Sequence, residues 1–440
     1  MSGGPRPTLA QVGQGVAAVA LACGAVIALR TLGEAGGPIF SLGFLVIAGA
    51  VAGNVAAFVG LPRLTGYLVA GVLAGPQVSG FVAATDVKAL SLINVLALAL
   101  ISLQAGAELT MALLQRTWRS VLWSSLAQVF GVVVPMTVLF VALAPRMSFV
   151  DGLSTGALWS VGLIWGVVAL TRSPAITLAI LSETKAKGPV AEHALGVAVL
   201  LDVLVLPLFA MSMSIASGQL MGLDFEIDVF IRLGRELFAS VCAGTSFGLL
   251  IAVLLRLVVQ DRLLMLVVLG YGVTALVTYL RYDTMLVFRV AGFAVMNLTR
   301  FGRELIAVSE RLGSAVMIVF FATAGAKLDL SALVALWPVA VAMVLGRAIC
   351  TYVAVQVGHR AAKDPPIVRR YGVTALVSQA GVTIGLATIV GDALPDLGRP
   401  LATLIIAVVG INELIGPVVF TWGLKRAGEV HDAAVTPTSA

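Results

Sequence analysis

The stretch VVALTRSPAITLAI, residues 167–180, places Arg172 and Pro174 inside an otherwise apolar run. Proline has no backbone N–H and disfavours the interior of a helix, so a break is expected here. A surface loop would explain both residues. The rest of the sequence argues against a loop, because nearly every neighbouring segment is apolar and long enough to lie in a membrane.

The composition predicts a membrane protein with many spans. Of the 440 residues, 60% are hydrophobic and 11% are charged, whereas soluble domains carry roughly 25% charged residues. A helix needs roughly 20 apolar residues to cross a bilayer. Fourteen segments of about that length lie at 9–29, 39–60, 64–82, 89–107, 119–144, 153–181, 190–217, 233–256, 262–280, 284–299, 309–326, 332–358, 371–391 and 400–424.

The charge and the metal-binding residue types exclude several other classes of protein. The net charge of +6 does not indicate a nucleic-acid partner, because Lys and Arg concentrate in loops on one side of the membrane, the side that also holds the C-terminus. That bias predicts a cytoplasmic C-terminus. The three cysteines lie in apolar runs, and the three histidines lack metal-ligand spacing. We therefore predict no disulfide framework, no cofactor and no metal beyond a transported alkali cation.

Four short sequence pairs recur in the same order, which indicates an internal duplication. Six spans fall in each repeat and one span separates the repeats, so the second repeat enters the membrane from the opposite side. Inverted repeats of this kind are typical of secondary transporters, which rock about a site at the midplane. The predicted parts are an N-terminal extra helix (1–38), a first repeat (39–217), a linker helix (218–261), an inverted second repeat (262–424) and a short tail (425–440).

Ionisable residues near the predicted midplane are the candidate site, because a charge there is usually functional or paired. Asp202 is matched in the second repeat by Asn412, which precedes Glu413. Arg172 and Arg347 compensate the two acids. Either these residues form structural salt bridges, or the acids bind an ion or proton. We favour an ion or proton site at Asp202 and a structural role for Arg347, and both roles stay open for Glu413.

Predicted helix breaks accompany these charges. Pro174 interrupts one span and Gly381 interrupts its repeat mate, which predicts two discontinuous helices that cross at the midplane. Pro207 and Pro417 each lie about one turn after an acid and free a carbonyl oxygen near it, which suits a small alkali cation. Arg172 is expected either to balance the carbonyl ends of the broken helices or to pair with the acid of the first repeat. The polar residues around the breaks are Thr171, Ser173, Ser378, Gln379 and Thr383.

At these residues the sequence resembles the monovalent cation:proton antiporter superfamily. It is most similar to the potassium-efflux and bacterial Na⁺/H⁺ antiporter branch of the sodium/hydrogen exchanger family. GYLVAGVLAGP (66–76) is similar to an early helix of that branch, and FFATAGAKLDL (320–330) to the end of its tenth helix. Residues 172–210 resemble its broken helix and the following helix, which carries the transport aspartate.

The resemblance implies an all-α antiporter of 13–14 membrane helices that exchanges Na⁺ or K⁺ for H⁺ by alternating access. It implies a homodimer in a lipid bilayer, the bacterial plasma membrane, with Asp202 as the ion-binding carboxylate. Two positions depart from the family pattern. Leu201 stands where members often have Asn or Asp, and Lys327 lies only at the end of 309–326, where charge-moving members have a basic residue. A single carboxylate predicts near-electroneutral exchange, whereas a second proton on Glu413 would change the stoichiometry.

Two other functions fit the sequence. A sodium-coupled organic-anion carrier would use the same crossed helices, with Arg172 as partner of the anion. A non-transporting membrane sensor would explain the missing Asn or Asp before Asp202. In the antiporter hypothesis Asp202 holds either a cation or a proton, and this competition couples the two fluxes.

Overall fold

The computed structural model describes residue 13 and residues 37–430, except 222–226, 259, 281, 329, 380 and 395–396. These residues fold as α-helices joined by short links. The predicted first span (9–29) and the tail after residue 430 lie outside the described residues. The helices are α1 (Gly37–Phe58), α2 (Arg63–Ala74), α3 (Ala84–Ala89), α4 (Ser91–Glu108), α5 (Met111–Leu143), α6 (Thr155–Leu170), α7 (Pro174–Thr184), α8 (Pro189–Met221), α9 (Ile227–Leu257), α10 (Arg262–Tyr279), α11 (Thr284–Leu298), α12 (Gly302–Ala326), α13 (Leu330–Ala362), α14 (Pro366–Tyr371), α15 (Gly381–Ala393) and α16 (Gly398–Ala427), with a 3₁₀ turn at Gly372–Leu376.

The all-helical, many-span fold predicted from the sequence is confirmed. Eight helical segments in the described ranges are long and apolar enough to cross a membrane, and a ninth joins them if the bent halves of α12 count as one span. The shorter apolar helices are α2, α11 and the greater parts of α4 and α15. The inverted relation of the two repeats, and the domain boundaries drawn from it, stay predictions.

The helices pack into two groups. The first, here called the bundle, comprises α5–α8 and α13–α16 and contains most of the largest apolar core, including Trp165 and Phe420. The second, the panel, comprises α1–α4 and α9–α12 and has two smaller cores, one of them around Phe247 and Phe288. The groups meet where α7 packs on α2 and α4, α16 on α2, and α8 on α9.

Glycines bring α4 and α11 of the panel into backbone contact. A Cβ atom at Gly106 would lie 1.9 Å from the carbonyl oxygen of Arg289. One at Gly292 would lie 2.0 Å from the carbonyl oxygen of Leu103. Such small residues let membrane helices approach closely. The contact therefore fixes the backbone position of Arg289 beside the bundle.

The predicted helix breaks at Pro207 and Pro417 were wrong. Pro207 lies inside the continuous helix α8, and Pro417 lies inside the continuous helix α16. Each proline removes one backbone hydrogen bond, but packing on the neighbouring helices keeps the chain helical. By contrast, Leu336 has non-helical dihedral angles inside α13, two residues before Pro338.

Candidate functional site

The first helix break separates α6 from α7. α6 ends at Leu170, and Ser173 caps the next helix: its Oγ accepts a hydrogen bond of 3.1 Å from the N–H of Ile176. Pro174 occupies the first position of α7, where an N–H group would have no helical partner. The Ser-Pro pair therefore begins a new helix in the middle of an apolar run.

The second break lies between the 3₁₀ turn at Gly372–Leu376 and α15, which begins at Gly381. Helix α16 packs against this irregular backbone through glycines. A Cβ atom at Gly416 would lie 2.1 Å from Ser378 Oγ, and one at Gly423 would lie 2.0 Å from Thr374 Oγ1. Irregular backbone at membrane depth is tolerated where protein covers it in this way.

The two breaks contact each other through polar side chains. Thr171 Oγ1 lies 2.7 Å from Thr383 Oγ1 and accepts a hydrogen bond of 2.8 Å from Gln379 Nε2. Gln379 Oε1 accepts a hydrogen bond of 2.8 Å from Asn412 Nδ2. The structure therefore joins four of the polar residues singled out from the sequence into one buried hydrogen-bonded chain.

Arg347 binds the carbonyl ends of both breaks. Its guanidinium donates to the carbonyl oxygens of Ala169 at 2.8 Å and Thr171 at 3.0 Å on one side. It donates to the carbonyl oxygens of Val377 at 2.8 Å and Leu376 at 3.4 Å on the other. Opposed helix ends leave uncompensated negative partial charge. Arg347 neutralises it on both sides, although the sequence showed no helix break beside this residue.

Arg172 is not the partner of Asp202, so that expectation is corrected. Its guanidinium donates to the carbonyl oxygens of Ala169 at 3.1 Å and Thr171 at 3.0 Å. It also donates to Gln128 Oε1 at 2.9 Å and Thr351 Oγ1 at 3.0 Å. Of the two roles left open, the structure shows contact with the carbonyl end of a broken helix.

Asp202 instead pairs with a residue that the sequence reasoning missed. Its Oδ2 lies 2.7 Å from a guanidinium nitrogen of Arg289, and the two side chains are 6% and 7% exposed. Asp202 belongs to α8 of the bundle, and Arg289 belongs to α11 of the panel. The pair therefore spans the two helix groups. The available signal was an arginine within the apolar segment 284–299, where a charge is expected to be paired or functional.

Glu413, the second candidate acid, makes no hydrogen bond to this ion pair. It is 1% exposed, and neither carboxylate oxygen has a hydrogen-bond partner among the described residues. A buried carboxyl group without a partner is more stable in its neutral form than in its ionised form. Its neighbour Asn412 belongs to the polar chain between the breaks, so the two candidates from the second repeat have different environments.

A large cavity separates the bundle from the panel on one face. Glu429, which follows α16, accepts hydrogen bonds from the N–H groups of Val190 and Ala191, so α8 begins on the face where α16 ends. We call this the C-terminal face. The cavity has a volume of about 1070 Å³ and extends from Lys187 on that face to Leu195. Leu195 is seven residues, or roughly 10 Å of helix, from Asp202.

The cavity wall carries both signs of charge. Arg116 and Glu192 form an ion pair within this wall, and Glu183 accepts a hydrogen bond of 2.7 Å from the N–H of Arg63. A cavity of this size holds on the order of 30 water molecules at roughly 30 Å³ each. The site therefore consists of two crossed, arginine-capped helix breaks, a buried inter-group ion pair and a wide entrance toward one face, which is the construction of a secondary transporter.

Comparison with known proteins places the chain in a family. The sequence profile of the family "Sodium/hydrogen exchanger, transmembrane" matches residues 42–426. The chain belongs to the sodium/hydrogen exchanger family. A comparison with curated protein sequences found no match.

Solved structures show the same fold. The sodium proton antiporter MjNhaP1 from Methanocaldococcus jannaschii, in a structure at pH 8, superposes with a TM-score of 0.66 at 15% sequence identity, over 89% of this chain and 98% of that chain. A three-dimensional electron-microscopy map of the same antiporter gives a TM-score of 0.68 at 17% identity, with the same coverage. At these identities the likeness shows the fold alone.

Proposed function

We propose that the protein is a secondary active antiporter that exchanges a monovalent cation, Na⁺ or K⁺, for H⁺ by alternating access. Membership of the sodium/hydrogen exchanger family supports this class of activity. The observation that carries the proposal is the buried pair of Asp202 and Arg289. The pair supports the proposal because Asp202, the proposed ion-binding carboxylate, lies at the contact between two helix groups, where alternating access needs a group that changes partner.

Asp202 has three exchangeable partners in this mechanism: a proton, a cation and the guanidinium of Arg289. A buried carboxylate is costly to leave unpaired, so each partner leaves only as another arrives. Because the proton and the cation compete for one carboxylate, the two cannot be carried together. That competition couples their fluxes in opposite directions.

The cavity on the C-terminal face supplies the entrance. It lets water and ions come within about two helical turns of Asp202, since Leu195 lies in its wall. Rocking of the bundle against the panel would close this cavity and open a path on the opposite face. The crossing itself stays rigid in the proposal, because Arg172 and Arg347 bind its carbonyl ends.

Glu413 is proposed as a second proton carrier. Its burial without a hydrogen-bond partner among the described residues suits a carboxyl group that holds a proton. If Glu413 cycles its proton, two protons move for each cation. The homodimer, the bacterial plasma membrane and the cytoplasmic C-terminus remain predictions from the sequence.

Reconstituted protein in liposomes with an internal pH dye tests the proposal. Adding Na⁺ or K⁺ outside should dissipate an imposed pH gradient, and Asp202→Asn should abolish that response. Asp392→Asn is the matched control, because Asp392 is an exposed aspartate at the end of α15. Absence of a dye response with every alkali cation, or full activity of Asp202→Asn, would refute antiport at this residue. Sodium-dependent uptake of an organic anion without a pH response would favour the anion-carrier alternative.

A further inference from the structure

A second cluster of titratable side chains lies near the C-terminal face, away from the crossing. His193 of α8 and His359 of α13 are 1% and 0% exposed, with ring centroids 4.6 Å apart. Ser120 Oγ of α5 lies 2.8 Å from His193 Nδ1 and 2.8 Å from Asp364 Oδ2. Asp364 Oδ2 also lies 2.6 Å from His359 Nδ1. We call these four side chains the histidine clamp.

The helix end at α13 positions the acid of the clamp. Lys363 has a φ of +60°, and the N–H of Asp364 donates to the carbonyl oxygen of His359 at 3.0 Å. The N–H of Lys363 donates to the carbonyl oxygen of Arg360 at 3.2 Å. This pair of bonds is the Schellman ending of a helix. It turns the Asp364 carboxylate back onto the ring of His359.

The clamp also contacts the second broken helix. A Cβ atom at Gly372 would lie 3.0 Å from His359 Nε2 and 3.1 Å from His193 Cδ2, so the backbone of Gly372 packs on both rings. Gly372 begins the 3₁₀ turn that leads to the break containing Gln379. The clamp therefore links α8, which carries Asp202, to the irregular segment whose Gln379 donates a hydrogen bond to Thr171.

The hydrogen-bond pattern fixes where the protons lie. Ser120 has one hydroxyl proton, and it goes to Asp364, because an ionised carboxylate only accepts. His193 Nδ1 must then donate to Ser120 Oγ, and His359 Nδ1 donates to Asp364. In the neutral rings both Nε2 atoms carry a lone pair. Both are buried without a hydrogen-bond partner among the described residues.

A further proton on either ring would create a buried Nε2–H without an acceptor, which is unfavourable. Asp364 is the one acid that contacts the rings in the described part of the chain. Burial acts to raise the pKa of Asp364, but hydrogen bonds from His359 and Ser120, together with the attraction of either imidazole once it is protonated, lower it below its usual value. Of the other charged groups on the packed helices, Asp202 and Arg347 lie in the buried contacts described above, Arg116 pairs with Glu192, and Arg369 is half-buried. Arg119, Arg360, Lys363 and Arg370 are exposed.

We propose that the histidine clamp is a further proton-binding site, separate from Asp202 and Glu413, which holds α8 against the second broken helix while both imidazoles are neutral and releases it when a proton enters from the C-terminal face. The ligand atoms of His193, His359 and Asp364 lie within 4.8 Å of one another. A metal ion at the Nδ1 atoms would displace the hydrogen bonds of the two rings to Ser120 and Asp364, whereas a proton added at Nε2 leaves both bonds in place. A proton is therefore the ligand that this cluster fits.

The consequence for transport rests on the proposed antiport. Asp202 lies nine residues beyond His193 on the same helix, about 13.5 Å at 1.5 Å per residue. Release of the clamp loosens the link between that helix and the break at Gln379. Acidification at the C-terminal face is therefore expected to slow exchange, independently of proton competition at Asp202.

Thermal unfolding of purified protein tests the clamp without reference to transport. We expect the wild-type melting temperature to fall as the pH drops below about 6.5, the ordinary midpoint of imidazole. In His193→Asn/His359→Asn the amide keeps a donor near each Nδ1 position but takes up no proton, so the fall should largely disappear. His431→Gln, which changes the chain's third histidine, is the matched control and should keep the wild-type slope. Equal slopes in the wild type and the double variant would overturn the proposal.

Nitrogen NMR of histidine-labelled protein provides the second readout, and it needs no folded double variant. In a His431→Gln background only the two clamp rings give signals. Neutral rings with protonated Nδ1 atoms are expected at pH 8, and protonated rings are expected only in protein whose clamp has opened. Protonated Nε2 atoms at pH 8 would refute the clamp.

In liposomes the double variant should retain more exchange than wild type on acidification of the C-terminal face. If neither the wild type nor the double variant exchanges ions, antiport is refuted. The melting and NMR measurements then test the clamp on their own.

Discussion

Asp202 and Arg289 form a buried ion pair 2.7 Å long between the two helix groups of the fold. The bundle contributes the acid and the panel contributes the base. A buried pair of this kind is strongly destabilised when one member is removed, because the other is left charged and unpaired. Any movement of the bundle past the panel must therefore supply Asp202 with a new partner, and that requirement yields two predictions.

Replacing Arg289 should strengthen cation binding at Asp202. In Arg289→Gln the cation no longer displaces a guanidinium, so we expect its apparent KM at alkaline pH to fall by about tenfold, equivalent to about 1.4 kcal/mol. Arg289→Lys is the matched control, because it keeps a positive charge that can still compete. The measurement is cation-dependent dissipation of a pH gradient in liposomes. An unchanged KM in Arg289→Gln would show that the guanidinium does not compete with the cation.

The same pair should be visible in stability without any transport assay. Asp202→Asn and Arg289→Gln are each expected to lower the free energy of unfolding by about 3–5 kcal/mol, as for other broken buried pairs. The double variant should lose less than the sum, with a coupling of about 1–3 kcal/mol. Denaturant or thermal unfolding in detergent measures the cycle. Strict additivity would mean that the two side chains do not interact in the folded protein.

Local signals in the sequence predicted the breaks at Pro174 and Gly381. The ion pair that the sequence did not predict depends on a contact between helices that are distant in the chain. Pro174 and Gly381 affect the backbone at their own positions, so their neighbourhoods suggested crossed discontinuous helices. The partner of Asp202 depends on how α8 meets α11, and no local pattern encodes that contact. The sequence did show an arginine in the apolar run of α11, which is the signal that should have suggested Arg289.

Tertiary packing also explains the two helix breaks that the sequence predicted and the structure does not contain. Pro207 and Pro417 carry the same local signal as Pro174, yet their helices continue. Only Pro174 follows a residue that caps a new helix, since Ser173 accepts a hydrogen bond from Ile176. The histidine pair was missed for a related reason: His193 and His359 lie far apart in the sequence, and only the fold brings their rings together.

Substitution of Arg347 or Arg172 should mainly lower the stability of the fold, whereas substitution of Asp202 should abolish exchange. Arg347 donates to carbonyl oxygens on both sides of the crossing, and lysine cannot span that set. We therefore expect Arg347→Lys to lower the free energy of unfolding by about 2 kcal/mol or more, since hydrogen bonds from charged groups contribute roughly 1.5–3 kcal/mol each.

Arg172→Gln should likewise lower stability, because Arg172 binds Gln128 and Thr351 as well as a helix end. The pH at which exchange is fastest should remain that of the wild type. Melting temperatures and the pH profile of exchange are the measurements. A shifted pH profile with unchanged stability would instead make Arg172 the electrostatic partner of the ion-binding acid.

The close approach of α16 to the second break makes the last prediction. A methyl group at Gly416 would lie 2.1 Å from Ser378 Oγ and 2.9 Å from Ser378 Cα, so Gly416→Ala forces the break away from α16. Overpacking of this kind typically costs about 1–3 kcal/mol. It should also slow exchange, because the break carries Gln379, the hydrogen-bond partner of Thr171 and Asn412. Gly385→Ala on α15 is the control, since a Cβ there meets nothing within 4 Å. Equal stability and equal exchange rates in the two alanine variants would mean that the crossing does not depend on this contact.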